Sequence, residues 1–164
     1  MSARLLGVIA ATSVAAVAAA LVAQHGFGMQ PCPWCVFQRV IYLGIAVVAA
    51  LGALLPGRGS RLAAALAVVA LCAGGIASAV FQHQVAARDA SCAFTLADRF
   101  LGATGLETRV PWLFQVTATC VDAAASRLLG LPFEVWSGLL FVLLGVAGLL
   151  ALGRPVGKKR AGAK

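Results

Sequence analysis

The sequence predicts an all-α membrane protein: a four-transmembrane-helix bundle with a long polar loop that carries a short amphipathic helix. Three observations predict it. Of 164 residues, 62% are hydrophobic and only 11% charged, and the mean hydropathy is +0.97. A water-soluble domain of this size has too little interior to bury that much apolar side chain, so the outer surface faces lipid. The apolar residues fall into four runs, at about 5–23, 35–55, 62–81 and 132–152, each near the roughly 20 residues a spanning helix needs. The charges are segregated between the ends of those runs. The whole chain reads as one membrane domain, with loops at 24–34 and 82–131 on one side.

The first run, Leu5 to about Ala23, is about 28 Å long as a helix, enough to cross the hydrocarbon. It is longer than the 7–15 apolar residues typical of a cleaved secretory signal, which favours a retained span. The loop that follows, Gln24 to Pro31, has no formal charge; His25 in it reads as an interfacial histidine without a chemical role. The second run ends at the turn signal Pro56-Gly57. The short basic connection Arg58-Gly59-Ser60-Arg61 makes the second and third spans antiparallel neighbours. Gly74, Gly75, Ala77 and Ser78 in the third span let helices approach closely in lipid. Cys72, mid-span among apolar residues, reads as a buried small hydrophobe.

The stretch from Gln82 to about Glu134 carries all five acidic residues of the chain, four arginines, and Cys92 and Cys120. Phe94, Leu96, Ala97, Phe100 and Leu101 recur at helical spacing and predict the short amphipathic helix. The apolar cluster Val110-Pro111-Trp112-Leu113-Phe114 suits either the membrane interface or a small core within the loop. The fourth span begins near Pro132, with Trp136 at the headgroup level.

One side of the membrane collects Arg4, Arg58, Arg61 and the tail cations Arg154, Lys158, Lys159, Arg160 and Lys164, with no acid. The other side holds Arg39, Arg88, Arg99, Arg109 and Arg127 against the five acids. The excess of Lys and Arg puts both termini in the cytoplasm, so Cys32, Cys35, Cys92 and Cys120 share the outer, oxidising face.

Cys32-Pro33-Trp34-Cys35 lies where the first loop becomes the second span. Cysteines this close can form and break a disulfide between themselves. The helix start favours a thiolate, and Arg39, one turn after Cys35, adds a fixed positive charge on the same face. Two separated pairs on one face suggest thiol–disulfide exchange in series, one pair meeting a soluble partner and the other a lipid-soluble electron carrier. Other readings of these residues are weaker. A zinc site wants close-spaced pairs or added histidines, and none accompanies Cys92 and Cys120, so no metal is expected. A c-type haem needs histidine where Val36 stands. A thioredoxin domain needs a βαβ pattern, which is absent. No basic stripe with interleaved aromatics points to nucleic acid, despite a net charge of +8. A purely structural disulfide between Cys92 and Cys120 leaves Cys32, Cys35 and Arg39 unexplained.

Taken in order, these features resemble the disulfide bond formation protein B (DsbB) family, the quinone-reducing membrane proteins of the bacterial periplasm. The resemblance covers nearly the whole chain. It rests on the Cys-x-x-Cys opening the second of four spans, the arginine four residues on, and the second cysteine pair in the long loop. It also takes in Leu129-Gly130-Leu131-Pro132 followed by Trp136-Ser137. The resemblance implies a multi-pass protein of the inner membrane with ubiquinone (or menaquinone) near the outer helix ends. It implies that Cys92 forms a mixed disulfide with a periplasmic DsbA-like thiol oxidase and that Cys120 exchanges with Cys32. Cys35 would face the quinone with Arg39 beside it. The polar segment expected to touch the quinone after the third span is Gln82-His83-Gln84, which makes His83 a further cofactor-binding candidate; the alternative is an ordinary interfacial histidine. Pro33-Trp34 between the first pair leaves its reduction potential unread. A vitamin K epoxide reductase-like protein would carry its membrane Cys-x-x-Cys after the loop pair rather than before it. A non-enzymatic membrane scaffold with a structural loop disulfide is the remaining alternative.

Overall fold

Hydrocarbon offers a backbone no hydrogen-bond partners, so apolar runs of this length satisfy their own N–H and C=O groups as helices. The computed structural model describes residues 3–86 and 95–153. In chain order its elements are α1 (Ala3–Phe27), α2 (Pro33–Leu54), α3 (Arg58–Gln84), the short helices α4 (Leu96–Thr104), α5 (Leu106–Arg109), α6 (Pro111–Phe114) and α7 (Cys120–Ala125), strands β1 (Arg127–Leu128) and β2 (Leu131–Pro132), and α8 (Phe133–Gly153). α1, α2, α3 and α8 are each long and apolar enough to cross a membrane. Cys92, Arg88 and the tail cations from Arg154 to Lys164 lie outside the described residues.

The four long helices pack in a ring, α1 on α2, α2 on α3, and α3 on α8; the seam between α8 and α1 is the loosest. The lipid-facing surface is as apolar as the interior: Val8, Val14, Val22, Val47, Leu51, Leu66, Leu143 and Leu149 are all exposed. In water such a surface would aggregate; in a bilayer it is the solvated face. Helix association is then left to shape and to a few polar contacts. Gly75 of α3 shows the shape term. A Cβ there would stand 2.5 Å from the ring of Phe141. That fully buried ring stacks on Tyr42 at 4.1 Å. The Tyr42 hydroxyl in turn donates to the Ser137 carbonyl at 2.9 Å. One aromatic wedge thus joins α2, α3 and α8.

The long loop folds over the end of the bundle that carries the cysteines. α4 starts with a capping box between Thr95 and Asp98 and ends at Gly105, whose φ of +62° suits glycine. Its buried residues are Ala97 and Leu101. The helix falls where the periodicity predicts one, although Phe94 lies outside the described residues. The apolar cluster at residues 110–114 divides: Phe114 is buried with Val36 and Leu101, while Trp112 is exposed. A small hairpin departs from the all-helical expectation. Arg127 pairs with Pro132 and Leu128 with Leu131, because Leu129 and Gly130 both take positive φ, 51° and 84°, as a tight hairpin turn requires. The Trp136 indole donates to the Leu128 carbonyl at 2.9 Å and fixes the hairpin to α8.

Gly75→Ala should push Phe141 out of its stack and cost about 1–3 kcal/mol, the usual penalty of overpacking. Gly74→Ala, where no atom lies within 4 Å of the added methyl, should be neutral. Thermal unfolding in detergent micelles reads both; equal midpoints for the two variants would refute the wedge.

Candidate functional site at the start of the second helix

Cys32 is the N-cap of α2, and its sulfur accepts the Cys35 backbone N–H at 3.3 Å. Pro33 occupies the first helical position, where no N–H is needed. The helical turn then brings the two sulfurs within 2.9 Å, a hydrogen-bonded dithiol with both cysteines free. Cys32 is fully buried and Cys35 partly exposed. The hydrogen bond with Cys35, reinforced by burial, holds the Cys32 thiol well above its ordinary pKa.

Two side chains of α2 and one of α3 complete the setting. Gln82 is buried and its amide nitrogen lies 3.2 Å from Cys35 Sγ and 3.5 Å from Cys32 Sγ. Gln38 Nε2 donates to Gln82 Oε1 at 2.8 Å. Arg39, also buried, donates through Nη1 to Gln24 Oε1 at 2.7 Å and to the Leu113 carbonyl at 2.8 Å. The only ion pair among the described residues is His83 with Glu134, so the Arg39 guanidinium is held there by neutral acceptors alone. A buried cation in that state is favourable ground for an anionic group brought alongside.

Cys35, Gln38, Arg39 and Tyr42 form one wall of a cavity of about 270 Å³. It lies at the loose α1–α8 seam, with Ala20 and Ala23 of α1 opposite and Ser137 and Leu140 of α8 completing the lining. Its lining is overwhelmingly apolar, the composition of a site for a mostly apolar ligand with a few polar anchors. His83 does not line this cavity. It faces a second cleft of about 250 Å³ beside α3 and α8, half-exposed, with Nδ1 3.1 Å from Glu134 Oε1. Glu134 is buried and borders both spaces. Of the polar segment ending α3, Gln82 rather than His83 reaches the cysteines.

Cys120 opens α7 behind the cap formed by Thr119 and Asp122 and is disulfide-bonded. It is buried in one apolar cluster with Cys32, Trp34 and Ala97. The Pro31 carbonyl accepts from Thr117 and Ala118 N–H at 3.0 and 3.3 Å, which staples the approach to Cys120 onto the residue before Cys32. Trp34, packed on Phe81 with ring centroids 4.9 Å apart, roofs this cluster. Cys92 lies outside the described residues. Cys72 is buried in the middle of the bundle, in the core cluster with Phe141 and Tyr42. His25 bonds through Nε2 to the Trp112 carbonyl at 2.9 Å and ties α1 to the loop. No group of three or more metal-ligating side chains occurs among the described residues.

Sequence reasoning missed Gln24, Gln38 and Tyr42. Gln38 carried a signal, as a polar residue in an apolar span one turn from Cys35; Gln24 and Tyr42 carried none, because their partners come from distant elements.

Residues 2–151 match the family model described as disulfide bond formation protein DsbB. The chain is 34% identical over 140 residues to a disulfide bond formation protein B of Aromatoleum aromaticum, covering 82% of each chain. It is 37% identical over 140 residues to a disulfide bond formation protein B 2 of Pseudomonas aeruginosa, covering 80% of each. With a disulfide bond formation protein B of Paracidovorax citrulli, identity is 29% and covers 97% of this chain and 91% of the relative.

In the reduced protein at pH 7, a small alkylating reagent should label Cys35 before Cys32, by about tenfold or more, since reaction needs an accessible thiolate. Because its bond to Cys35 and its burial hold the Cys32 thiol well above its ordinary pKa, its labelling should stay slow through pH 8 and rise only in alkali. Mass spectrometry of the labelled peptides reads the order; faster labelling of Cys32 would contradict it.

Proposed function

This chain belongs to the DsbB family of disulfide bond formation proteins, and on that premise we propose that it reoxidises a periplasmic DsbA-type dithiol oxidase and passes the electrons to membrane quinone. It is a membrane thiol–disulfide oxidoreductase, and the family match removes the case for a vitamin K epoxide reductase-like protein or a scaffold. Both termini would be cytoplasmic, by the excess of Lys and Arg at that end.

The observation that carries the reading is the cavity itself. Cys35, one member of a hydrogen-bonded dithiol, shares an apolar pocket with a buried arginine that makes no ion pair among the described residues, the one carboxylate of the pocket, Glu134, being paired with His83. Those residues fit a quinone: apolar walls for the ring, the Arg39 guanidinium for a carbonyl oxygen, and Cys35 for the electrons. The quinone, when bound, supplies the two-electron acceptor that lets the Cys32–Cys35 disulfide re-form. Ubiquinone and menaquinone both suit such walls.

The protein's own part is a relay of sulfur exchanges. The partner's thiolate attacks Cys92, forming a mixed disulfide and releasing Cys120 as a thiolate. Cys120 attacks Cys32, a member of the same cluster, and the S–S bond to Cys35 breaks. The electron pair leaves on Cys35 Sγ, which faces the Gln82 N–H group and the start of α2. The partner's second thiolate attacks the partner's own sulfur in the mixed disulfide, which closes the partner's disulfide and releases Cys92 as a thiolate. Cys92 then attacks Cys120 and frees Cys32, which takes up a proton favoured by its burial and its bond to Cys35. Arg39 orients the quinone and favours negative charge in the cavity. His83 supports the cavity through Glu134.

Purified protein supplied with a reduced periplasmic dithiol protein and a short-chain quinone should oxidise the first and reduce the second in equal amounts. Arg39→Ala should raise the quinone KM about 10- to 100-fold, the worth of one charge-assisted hydrogen bond, with Arg39→Lys between the two. A quinone KM unchanged in Arg39→Ala would remove Arg39 from the site. Cys120→Ser should accumulate a covalent adduct at Cys92 on a non-reducing gel, and Cys72→Ala should not. An adduct in Cys92→Ser instead would exchange the roles of the two loop cysteines.

A further inference from the structure

The relay above leaves Gln82 without an assigned task, although its amide touches both sulfurs of the membrane pair. Gln82 lies in the last turn of α3, 1% exposed, where an unpartnered carboxamide would be costly. Its oxygen end is occupied by the Gln38 N–H at 2.8 Å. Turning the amide over would set two NH₂ groups against each other and an oxygen against the thiols, so Gln38 dictates that Nε2 faces the sulfurs. A carboxamide nitrogen carries two protons. One is available to Cys35 Sγ at 3.2 Å and the other to Cys32 Sγ at 3.5 Å. No other side chain is hydrogen-bonded to these sulfurs among the described residues.

We propose that the Gln38–Gln82 pair tunes the redox centre: Gln82, held by Gln38, donates to both cysteine sulfurs and raises the reduction potential of the Cys32–Cys35 couple. Reduction of that disulfide takes up two electrons and two protons and replaces one S–S bond by two thiols. A thiol sulfur accepts hydrogen bonds weakly and a thiolate strongly, more so than the neutral sulfur of a disulfide. Donors fixed on both sulfurs therefore favour the reduced form, and stabilising the reduced form makes a couple more oxidising. Arg39 acts on the cavity side of Cys35, whereas Gln82 comes from α3 and is absent from the residues that line the cavity. Gln82 thus adjusts the couple from outside the quinone's space, while Gln38, which holds it, is part of the cavity wall. It is a positioning device with a direct contact to the reacting atoms.

The proposal rests on Cys32–Cys35 being the cycling pair, and the test separates the two. Full-length protein carrying Cys92→Ser and Cys120→Ser, in micelles free of quinone, is equilibrated in buffers of reduced and oxidised glutathione or dithiothreitol. Thiols are trapped by alkylation and counted by mass. Gln82→Met keeps length and volume but removes the donors. It should shift the dithiol–disulfide equilibrium about tenfold toward the disulfide, ~30 mV more negative. Gln38→Leu, which leaves Gln82 free to turn, should shift it the same way by less. A lowered unfolding midpoint does not by itself move this equilibrium, so a merely structural glutamine pair leaves the potential where it was. If the parent pair titrates and both variants titrate at its potential, the tuning role is overturned and the oxidoreductase reading stands. If the parent pair never forms a disulfide in any buffer, the reading and this proposal fall together.

Discussion

The N-terminus of α2 is the constraint on which the rest depends. A helix that begins at Pro33 needs a cap at residue 32, and here the cap is a cysteine sulfur. That choice places Cys35 in the first turn with its sulfur 2.9 Å away and Arg39 one turn deeper on the cavity wall. The same chain entry exposes the Pro31 carbonyl to Thr117 and Ala118, which brings Cys120 into the cluster around Cys32. Moving the start of the helix by one residue would rotate the whole set by about 100° and break each of these relations.

The bilayer explains why such a site sits at a helix end and at a loose seam. Inside hydrocarbon, polar side chains must meet partners within the bundle. The polar side chains of α2 and α3 that concern the site therefore gather at the end covered by the loop: Gln38, Arg39 and Gln82, joined by Gln24 from α1. Further along, the interfaces are set by shape, as where Gly75 admits Phe141. The alanines of α1 leave the space opposite Arg39 that tighter packing would have filled. The cavity thus lies at the seam of the ring where helix contacts are fewest.

Much of this was legible in the sequence. The four apolar runs identified the four long helices, because length and hydropathy are local properties. The spacing of Cys35 and Arg39 indicated one helix face for the same reason. What was not legible depends on contacts between distant segments. Nothing local says that Leu113 of the loop and Gln24 of α1 both accept from Arg39. His83 and Gln82 are adjacent, and the choice between them turns on helix rotation: one residue, 100°, separates a buried amide at the cysteines from a half-exposed imidazole paired with Glu134. The hairpin at residues 127–132 was hidden because Leu129 is an unusual residue for a positive φ.

The central claim is that the Cys32–Cys35 dithiol delivers its electrons directly into the Arg39 cavity. The most direct measurement is an anaerobic single turnover, in which protein with serine at both Cys92 and Cys120 is reduced, freed of reductant and mixed with excess short-chain quinone. Formation of one quinol for each Cys32–Cys35 disulfide, with no contribution from Cys72, is the predicted result. Quinol formation that persists after Cys35→Ser, or none at all from the intact membrane pair, would contradict the account.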